Sequence, residues 1–137
     1  MATEVLINDG GAPARIMNLA VAGADLTAGL VVDINSSGKI IAAADDQTGG
    51  TSKAQAVALG VLLVDAADGD PTSIVTGKGI VCNVQSVAGL TVGEELVVDD
   101  AGKLEHSANL ETDRIFAIAL DSTFSADSLN YTKVLII

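Results

Sequence analysis

Short runs of β-branched and aliphatic residues dominate the pattern of hydrophobic and polar positions along the chain. Each run is bounded by Gly, Asp, Asn, Ser or Pro, and the clearest are GLVVDI, AVALGVLLVDA, TSIVT, GIVCNVQSV, ELVVDD, RIFAIALD and YTKVLII. Runs of this length and composition are typical of strands. They recur about every 8–12 residues, which is the spacing expected of a β-sandwich or β-barrel. The pattern therefore predicts an all-β fold.

One stretch between these runs has a composition that a short helix could use. Ser52–Leu59 reads SKAQAVAL, but it leads without a break into the strand pattern GVLLVDA. A helix of this length has little stability of its own. We therefore predict a loop that enters a strand.

The chain contains one pattern twice, as LTAGLVVDINSSGKII at Leu26–Ile41 and as LTVGEELVVDDAGKLE at Leu90–Glu105. Each copy has a Leu-Thr-x-Gly corner, a Leu-Val-Val-Asp strand, a polar turn and a Gly-Lys pair before a returning strand. Gly supplies a positive φ, and Asp or Asn supplies local hydrogen bonds, as such turns require. A third strand follows each hairpin, VALGVLLVDA after the first and RIFAIALDST after the second. The sequence therefore predicts an internal hairpin duplication.

A three-strand unit of this kind cannot bury its own apolar face and must pack against another element. Two units that face each other would form a small closed or nearly closed β-barrel. A chain of 137 residues is expected to form one domain. We assign residues 18–137 to a single β-barrel domain and residues 1–17 to an N-terminal arm or edge strand.

Composition and charge narrow the classes of partner. Hydrophobic residues make up 49% of the chain, but its aromatic residues are limited to Phe116, Phe124 and Tyr131, so aliphatic side chains must fill the core. The net charge is −11, and the Lys and Arg residues are scattered singly. Nucleic acids and anionic membrane surfaces are bound by clustered basic residues, so we expect neither as a partner. A single cysteine suits synthesis in a reducing cytosol.

Residue types that carry catalysis are scarce. The single histidine, His106, and the single cysteine, Cys82, lie in no recognisable catalytic motif. The Gly-Lys pairs lack the other residues of a phosphate-binding loop. The turn DAADGD, with Asp65, Asp68 and Asp70, could offer oxygen ligands to Ca²⁺, but its spacing is not that of an EF-hand and a solvated turn is favoured. We predict no catalytic, cofactor-binding or metal site and no enzymatic activity.

Ordered segments over nearly the whole chain, from about Asn8 to Ile136, resemble a known family. They are NDGGAPARIMNLAVAGADLTAGLVV, GKIIAA, ALGVLLVDAADGD, SIVTGKGIVCNV, LTVGEELVVDDAGKL and IFAIALDST. In this order they resemble the small decoration, or cement, proteins of tailed-bacteriophage heads. The second, fuller hairpin copy and the tail after Ser122 depart from the pattern of that family.

The resemblance implies a β-tulip-like domain that forms homotrimers on the outer surface of an expanded capsid. There it would bridge neighbouring subunits of the major capsid protein and stabilise the virion, with no cofactor. The protein would be made in the cytoplasm of the bacterial host. Weak contacts of each trimer would add through multivalency, and selective binding to the expanded lattice would stabilise that lattice by mass action.

The N-terminal segment is the candidate for the capsid contact that the resemblance implies. An edge strand has unpaired backbone groups and can add to the sheet of a partner. The candidate contact residues are Glu4, Val5, Leu6, Ile7 and Arg15. The alternative for this segment is an ordinary first strand of the barrel.

Two other functions compete with a structural role in the virion. One is a carbohydrate- or cell-surface-binding β-domain of a phage tail or fibre, which would need a groove with aromatic or acidic sugar contacts. Tyr131 and the acidic turns are the material that the chain offers for it. The other is a small β-barrel enzyme domain, which the scarcity of catalytic residues disfavours.

Overall fold

The computed structural model describes residues 4–8, 14–18, 20–43, 58–99, 101–107, 115–126 and 128–137. These residues form twelve short strands: β1 (Leu6–Asn8), β2 (Arg15–Met17), β3 (Val31–Ile34), β4 (Ile40–Ala42), β5 (Gly60–Leu62), β6 (Ile74–Thr76), β7 (Val81–Gln85), β8 (Glu95–Val98), β9 (Leu104–His106), β10 (Ala117–Ala119), β11 (Phe124–Ala126) and β12 (Leu129–Ile136). The described part of the chain contains no helix, and so none that could cross a membrane. The all-β prediction is confirmed.

The strands form two antiparallel sheets. Sheet 1 has five strands in the order β2-β6-β5-β3-β4. Sheet 2 has seven strands in the order β1-β7-β12-β10-β8-β9, and β11 pairs with β12 beside this path. The longest ladder joins β7 to β12 over five residue pairs, from Tyr131–Gln85 to Leu135–Val81.

The strand order of sheet 1 is repeated within sheet 2. Read across sheet 1, the neighbouring strands are the first, fifth, fourth, second and third of their unit in chain order, and β7-β12-β10-β8-β9 shows the same arrangement once β11 is set aside. We call β2–β6 the first repeat unit and β7–β12 the second. The predicted duplication is confirmed, and it extends from the three-strand unit seen in the sequence to five strands. Strand β1 and strand β11 are additions to the second sheet.

The hairpin turns of the two units have the same hydrogen bonds. Asn35 Oδ1 accepts the N–H groups of Ser37 and Lys39 at 2.9 and 3.0 Å. Asp99 Oδ1 accepts those of Ala101 and Lys103 at 2.8 and 2.9 Å. The glycine before each lysine has a positive φ, as the shared Gly-Lys pair predicts. The turn residues therefore have the structural role that the sequence assigned to them.

The Leu-Val-Val-Asp segments of the two copies are not structurally equivalent. Asp33 of the first copy lies within β3, is buried, and accepts the N–H of Ile34 at Oδ1 at 2.7 Å. Asp99 of the second copy follows β8 and holds the turn, the position that Asn35 occupies in the first copy. The identical letters Leu-Val-Val-Asp therefore align the two copies two residues away from their structural alignment, in which Asp99 corresponds to Asn35. Because side chains alternate with a period of two, this shift leaves the same face of the strand buried.

Each unit curls so that its first and third strands approach each other. An isolated parallel bridge joins Ala22, after β2, to Ile40 in β4, and an equivalent bridge joins Ser86, after β7, to Leu104 in β9. The sequence predicted one closed or nearly closed barrel made from two facing hairpins. The described strands instead form two curled sheets, because each unit carries enough strands to bend back upon itself.

Two clusters of aliphatic side chains form the core. Adjacent residues of sheet 1 alternate between them: Val31 and Val61 belong to the larger cluster, and Val32 and Leu62 belong to the smaller one. The larger cluster also contains the inward side chains of sheet 2, such as Leu96. Sheet 1 is therefore covered on both faces, and the larger cluster holds the two units together. Each buried aliphatic side chain contributes about 1.5–3 kcal/mol through its removal from water.

The N-terminal segment belongs to both sheets. Strand β1 pairs with β7 at the edge of sheet 2, and β2 pairs with β6 at the edge of sheet 1. The joint between them at residues 9–13 lies outside the described residues, as does most of the Ser52–Leu59 loop predicted from the sequence. The assignment of residues 1–17 as an arm separate from a domain at 18–137 stays a prediction.

Candidate binding surfaces

The side chains that could carry chemistry lie apart from one another. Cys82 is buried in β7, and burial raises the pKa of its thiol from 9.0 to about 11. His106 is exposed at the end of β9. Within the described ranges, no three His, Cys, Asp or Glu residues are grouped so that they could hold a metal ion.

The Cys82 thiol is expected to be inert in the folded protein. At pH 8 a rise of two units in its pKa lowers the thiolate fraction roughly a hundredfold, so a thiol reagent should label the native chain at least about a hundred times more slowly than the chain in denaturant. The neutral buried thiol also favours folding below pH 9, and this contribution is lost as the pH rises through about 11. Labelling kinetics followed by mass spectrometry check the first statement. Native labelling as fast as that of the unfolded chain would contradict it.

The acidic turn after β5 uses its carboxylates to hold backbone groups. Asp65 Oδ1 accepts the N–H of Ala28 at 2.7 Å, and Asp70 Oδ2 accepts that of Ala67 at 3.2 Å. Asp68 contributes its backbone N–H, which donates to Asp25 Oδ1 at 2.9 Å. The three aspartates named from the sequence therefore take part in loop closure through different atoms, and their carboxylates do not converge on one point.

The five predicted contact residues have different environments. Val5 is 3% exposed and belongs to the larger core cluster, and its carbonyl oxygen accepts the N–H of Asn83 at 2.8 Å. Leu6 is half-buried against the same cluster. The other three, Glu4, Ile7 and Arg15, are exposed. Ile7 and Arg15 lie on the edge strands of different sheets.

The two repeat units meet at the first corner, the Leu-Thr-Ala-Gly segment at residues 26–29. Gln85 is 1% exposed, and its Nε2 donates to Thr27 Oγ1 at 2.6 Å and to the carbonyl oxygen of Ala28 at 2.9 Å. The Tyr131 hydroxyl donates to the same Ala28 carbonyl oxygen at 3.0 Å. We call Gln85 and Tyr131 the second platform, because both belong to the second unit.

The glycine of the first corner is required by this contact. Gly29 has a φ of +91°, and a Cβ at this position would lie 2.6 Å from Tyr131 Cε1. Its N–H donates to the carbonyl oxygen of Leu62 at 2.8 Å, and its own carbonyl oxygen accepts the N–H of Gln85 at 2.8 Å. The corner is therefore held by its own unit on one side and by the second platform on the other.

The second corner, the Leu-Thr-Val-Gly segment at residues 90–93, has buried Leu90 but is exposed at Thr91, Val92 and Gly93. Val92 has 65% of its surface accessible, the largest fraction among the exposed large hydrophobic residues of the described chain. The Gly93 N–H donates to the carbonyl oxygen of Ala119 at 2.8 Å, which places Leu120, 38% exposed, beside the corner. The variable residue and the glycine of the repeated motif are therefore more buried in the first copy, at Ala28 and Gly29, than in the second, at Val92 and Gly93.

A groove of about 240 Å³ opens on the first unit. Val21 and Pro71 form an isolated antiparallel bridge along it, and we call these two residues the first platform. Val21 is 37% exposed. The residues that line the groove carry no charge: Asn18, Ala20, Val21, Pro71 and Thr72.

Sequence reasoning named the two corners and Tyr131 without assigning them to a contact between the units, and it did not single out Gln85 or Val21. Gln85 lies in a strand run and gives no signal of burial by itself, and Val21 and Val92 are ordinary apolar residues in a chain rich in them. A signal was nevertheless present in the repeated Leu-Thr-x-Gly motif. Its variable residue is Ala28 in one copy and Val92 in the other, which indicates different surroundings.

The chain is similar in structure to a protein of a phage head. No protein-family model matches the sequence, and no curated protein matches it. The structure superposes on the crystal structure of the head fiber gp8.5 N base in bacteriophage phi29 with a TM-score of 0.67, and the match covers 91% of this chain and 95% of that one. The two sequences are 16% identical. At this identity the likeness establishes a shared fold.

Proposed function

We propose that the chain is a structural protein of a bacteriophage head, which attaches to the outer surface of the capsid by binding the major capsid protein and acts as a homotrimer without catalysis. The observation that carries the proposal is the likeness to the phi29 head fiber base, which extends over nearly the full length of both chains. The ordered segments from Asn8 to Ile136 support it independently, because they resemble decoration proteins of tailed-phage heads.

The form of the domain suits decoration of the capsid. The described residues form two antiparallel sheets. A protein of this form presents several faces to a lattice, and multivalent attachment adds weak contacts through their effective concentration. Binding to the expanded lattice alone would stabilise that lattice by mass action.

The aromatic side chains that a glycan-binding domain would need on its surface are packed against other parts of the protein. Tyr131 is 4% exposed, and its hydroxyl donates to the Ala28 carbonyl oxygen. Phe124 stacks on Tyr131 with ring centroids 6.2 Å apart, and Phe116 packs against the larger core cluster. Sugar subsites usually use exposed aromatic faces. The aromatic residues of this chain therefore favour a structural function over the carbohydrate-binding alternative.

The edge strands β1 and β2 offer the proposed capsid contact. On β1, Leu6 is half-buried and Ile7 is exposed; before the strand, Glu4 is exposed and Val5 anchors the segment in the core. On β2, Arg15 is exposed beside Ile16, which is 58% exposed. Edge strands with outward apolar side chains can pair with the sheet of a partner. Fixing β1 through Val5 lowers the entropic cost of that pairing.

A binding assay with expanded empty capsids of the parent phage tests the proposal. We expect the wild-type protein to co-sediment with capsids and to raise their melting temperature. We expect Ile7→Asp to weaken binding at least about tenfold, because a carboxylate would be buried at the interface without a partner. Val64→Asp is the matched control, because Val64 is 55% exposed and belongs to neither edge strand.

Three outcomes separate the parts of this proposal. A wild-type protein that does not bind capsids would overturn the proposed function. Capsid binding by Ile7→Asp equal to that of Val64→Asp would remove β1 from the contact and leave the function standing. Thermal unfolding of both variants shows whether either change acts through stability instead of binding.

A further inference from the structure

The contact between a corner and a platform occurs once within the chain, but its parts occur twice. The first corner rests on the second platform through Gln85 and Tyr131. The second corner and the first platform are both exposed. The chain therefore carries an unused copy of each half of its own internal interface.

The strand registers show that the two platforms are equivalent. Val21 lies five residues before Leu26, the first residue of the first corner. Gln85 lies five residues before Leu90, the first residue of the second corner. Val21 pairs with Pro71, and Gln85 pairs with Tyr131. In the first unit this pair joins the segment after the first strand to the segment before the fifth strand, and in the second unit it joins the last residue of the first strand to the fifth strand.

The hydrogen bonds of the corners show the same equivalence. The Gly29 N–H donates to the carbonyl oxygen of Leu62, and the Gly93 N–H donates to that of Ala119, each at 2.8 Å. The residues after these acceptors are Leu63 and Leu120. Leu63 and Leu120 are therefore equivalent neighbours of their corners.

Equivalent residues differ in exposure in the two units. In the first unit, Ala28 and Leu63 pack against the larger core cluster. In the second unit their equivalents Val92 and Leu120 are 65% and 38% exposed. Single exposed hydrophobic residues are common and need no explanation. Val92 and Leu120, however, lie next to each other, and their equivalents Ala28 and Leu63 are packed in the first unit, whose corner rests on the second platform.

The chemistry of each corner matches its platform. The second platform has hydrogen-bond donors, Gln85 Nε2 and the Tyr131 hydroxyl, and the corner that it receives presents a small Ala28 with an accessible carbonyl oxygen. The first platform is apolar, with Val21 and Pro71 beside an uncharged groove. The exposed corner presents the larger apolar side chain of Val92. An apolar corner suits an apolar platform.

We propose that the second corner of one copy of this chain docks onto the first platform of the next copy, so that the internal interface continues between chains. Such a contact joins different surfaces of the two partners and is head-to-tail. A head-to-tail contact forms a ring when the rotation between successive copies closes, as the proposed homotrimer requires, and an open filament when it does not. The inference names the surfaces through which the proposed homotrimer would assemble. It rests on the proposed function only for the number of copies in the ring.

Size-exclusion chromatography with light scattering tests the interface on the full chain. The variants Val92→Asp and Val21→Asp each place a carboxylate on one half of the contact, and Val64→Asp places one on an exposed residue outside it. At physiological ionic strength, where charges more than about 8 Å apart are largely screened, we expect wild type and Val64→Asp to form the ring. We expect Val92→Asp and Val21→Asp to be monomers, with the dissociation constant raised at least about tenfold.

Mixing the two monomeric variants gives the sharpest result. Val21→Asp retains an intact corner, and Val92→Asp retains an intact platform, so an equimolar mixture should form a heterodimer that cannot grow further. A contact in which Val92 met Val92 of its partner would leave Val21→Asp assembled on its own, and the mixture would contain no heterodimer. Circular dichroism spectra matching that of Val64→Asp, together with a single cooperative unfolding transition, exclude misfolding as the cause of dissociation.

The remaining outcomes separate this interface from the proposed function. A monomeric wild type, or an assembly that persists in either Val92→Asp or Val21→Asp, would overturn the proposed interface. If the ring forms as expected but does not bind expanded capsids, the interface stands and the capsid function is wrong.

Discussion

Replacing Gly60 with alanine is expected to lower the free energy of unfolding by about 3 kcal/mol or more, because the added methyl group has no space. Gly60 begins β5 in the middle of sheet 1. A Cβ there would collide with the carbonyl oxygen of Val75 and would lie 2.9 Å from Ile74 Cγ2. Neither obstacle is the end of a flexible side chain, so β5 and β6 would have to move apart.

Gly38→Ala is the matched control for Gly60→Ala. Gly38 has a φ of +79° with open space around its Cβ position, so alanine there adds backbone strain of about 1 kcal/mol without a collision. Chemical denaturation of both variants measures the difference. If Gly60→Ala is no less stable than Gly38→Ala, sheet 1 is not packed as described. At the equivalent position of the second unit, paired with Leu96, the chain already has Ala117, so the two units differ in this local spacing.

Removing the Tyr131 side chain is expected to cost about 3–5 kcal/mol, the range for a buried aromatic residue truncated to alanine. Tyr131 lies in the longest ladder of sheet 2 and packs on Gly29 of the first corner. Its hydroxyl shares the Ala28 carbonyl oxygen with Gln85 Nε2. Tyr131→Ala would therefore open a cavity and weaken the contact between the repeat units at once.

Two further variants separate these effects. Tyr131→Phe keeps the ring and loses the hydroxyl, so we expect a loss of about 1 kcal/mol. Phe124→Ala removes the ring that stacks on Tyr131 but leaves the corner contact intact. Equilibrium unfolding of the three variants should rank Tyr131→Ala as the least stable. A loss in Tyr131→Phe as large as that in Tyr131→Ala would place the energy in the hydrogen bond instead of the packing.

The strands and turns could be predicted because their signals are local. Alternating and continuous β-branched runs mark strands, and the Asn35 and Asp99 turns require their polar caps and glycines whatever lies around them. The equivalence within the repeat was harder to predict. The identical letters Leu-Val-Val-Asp suggested one alignment, but the ladder hydrogen bonds place Asp99 with Asn35 and leave Asp33 inside a strand.

The candidate contact residues show the same limit. The sequence indicates a short strand at Glu4–Ile7, which the structure has at Leu6–Asn8. The choice of its buried side comes from pairing with β7, which places Val5 in the larger core cluster and leaves Ile7 exposed. Burial of Gln85 and Tyr131 likewise depends on where the first corner lies in space. Neither outcome has a local signal, since both depend on residues distant in the chain.

The amino-acid order alone specifies an all-β chain that carries a hairpin pattern twice and has little material for catalysis, because periodicity, turn chemistry and composition act within a few residues. Two nearly identical corners have opposite environments, one held between the units and one facing solvent, and only packing assigns these environments. The physical reason is that two equal units joined in one chain share one interface, so the first corner finds its platform within the chain and the second does not. The curling of each unit into its own sheet has the same origin, because closure depends on long-range bridges such as Ala22–Ile40 and Ser86–Leu104.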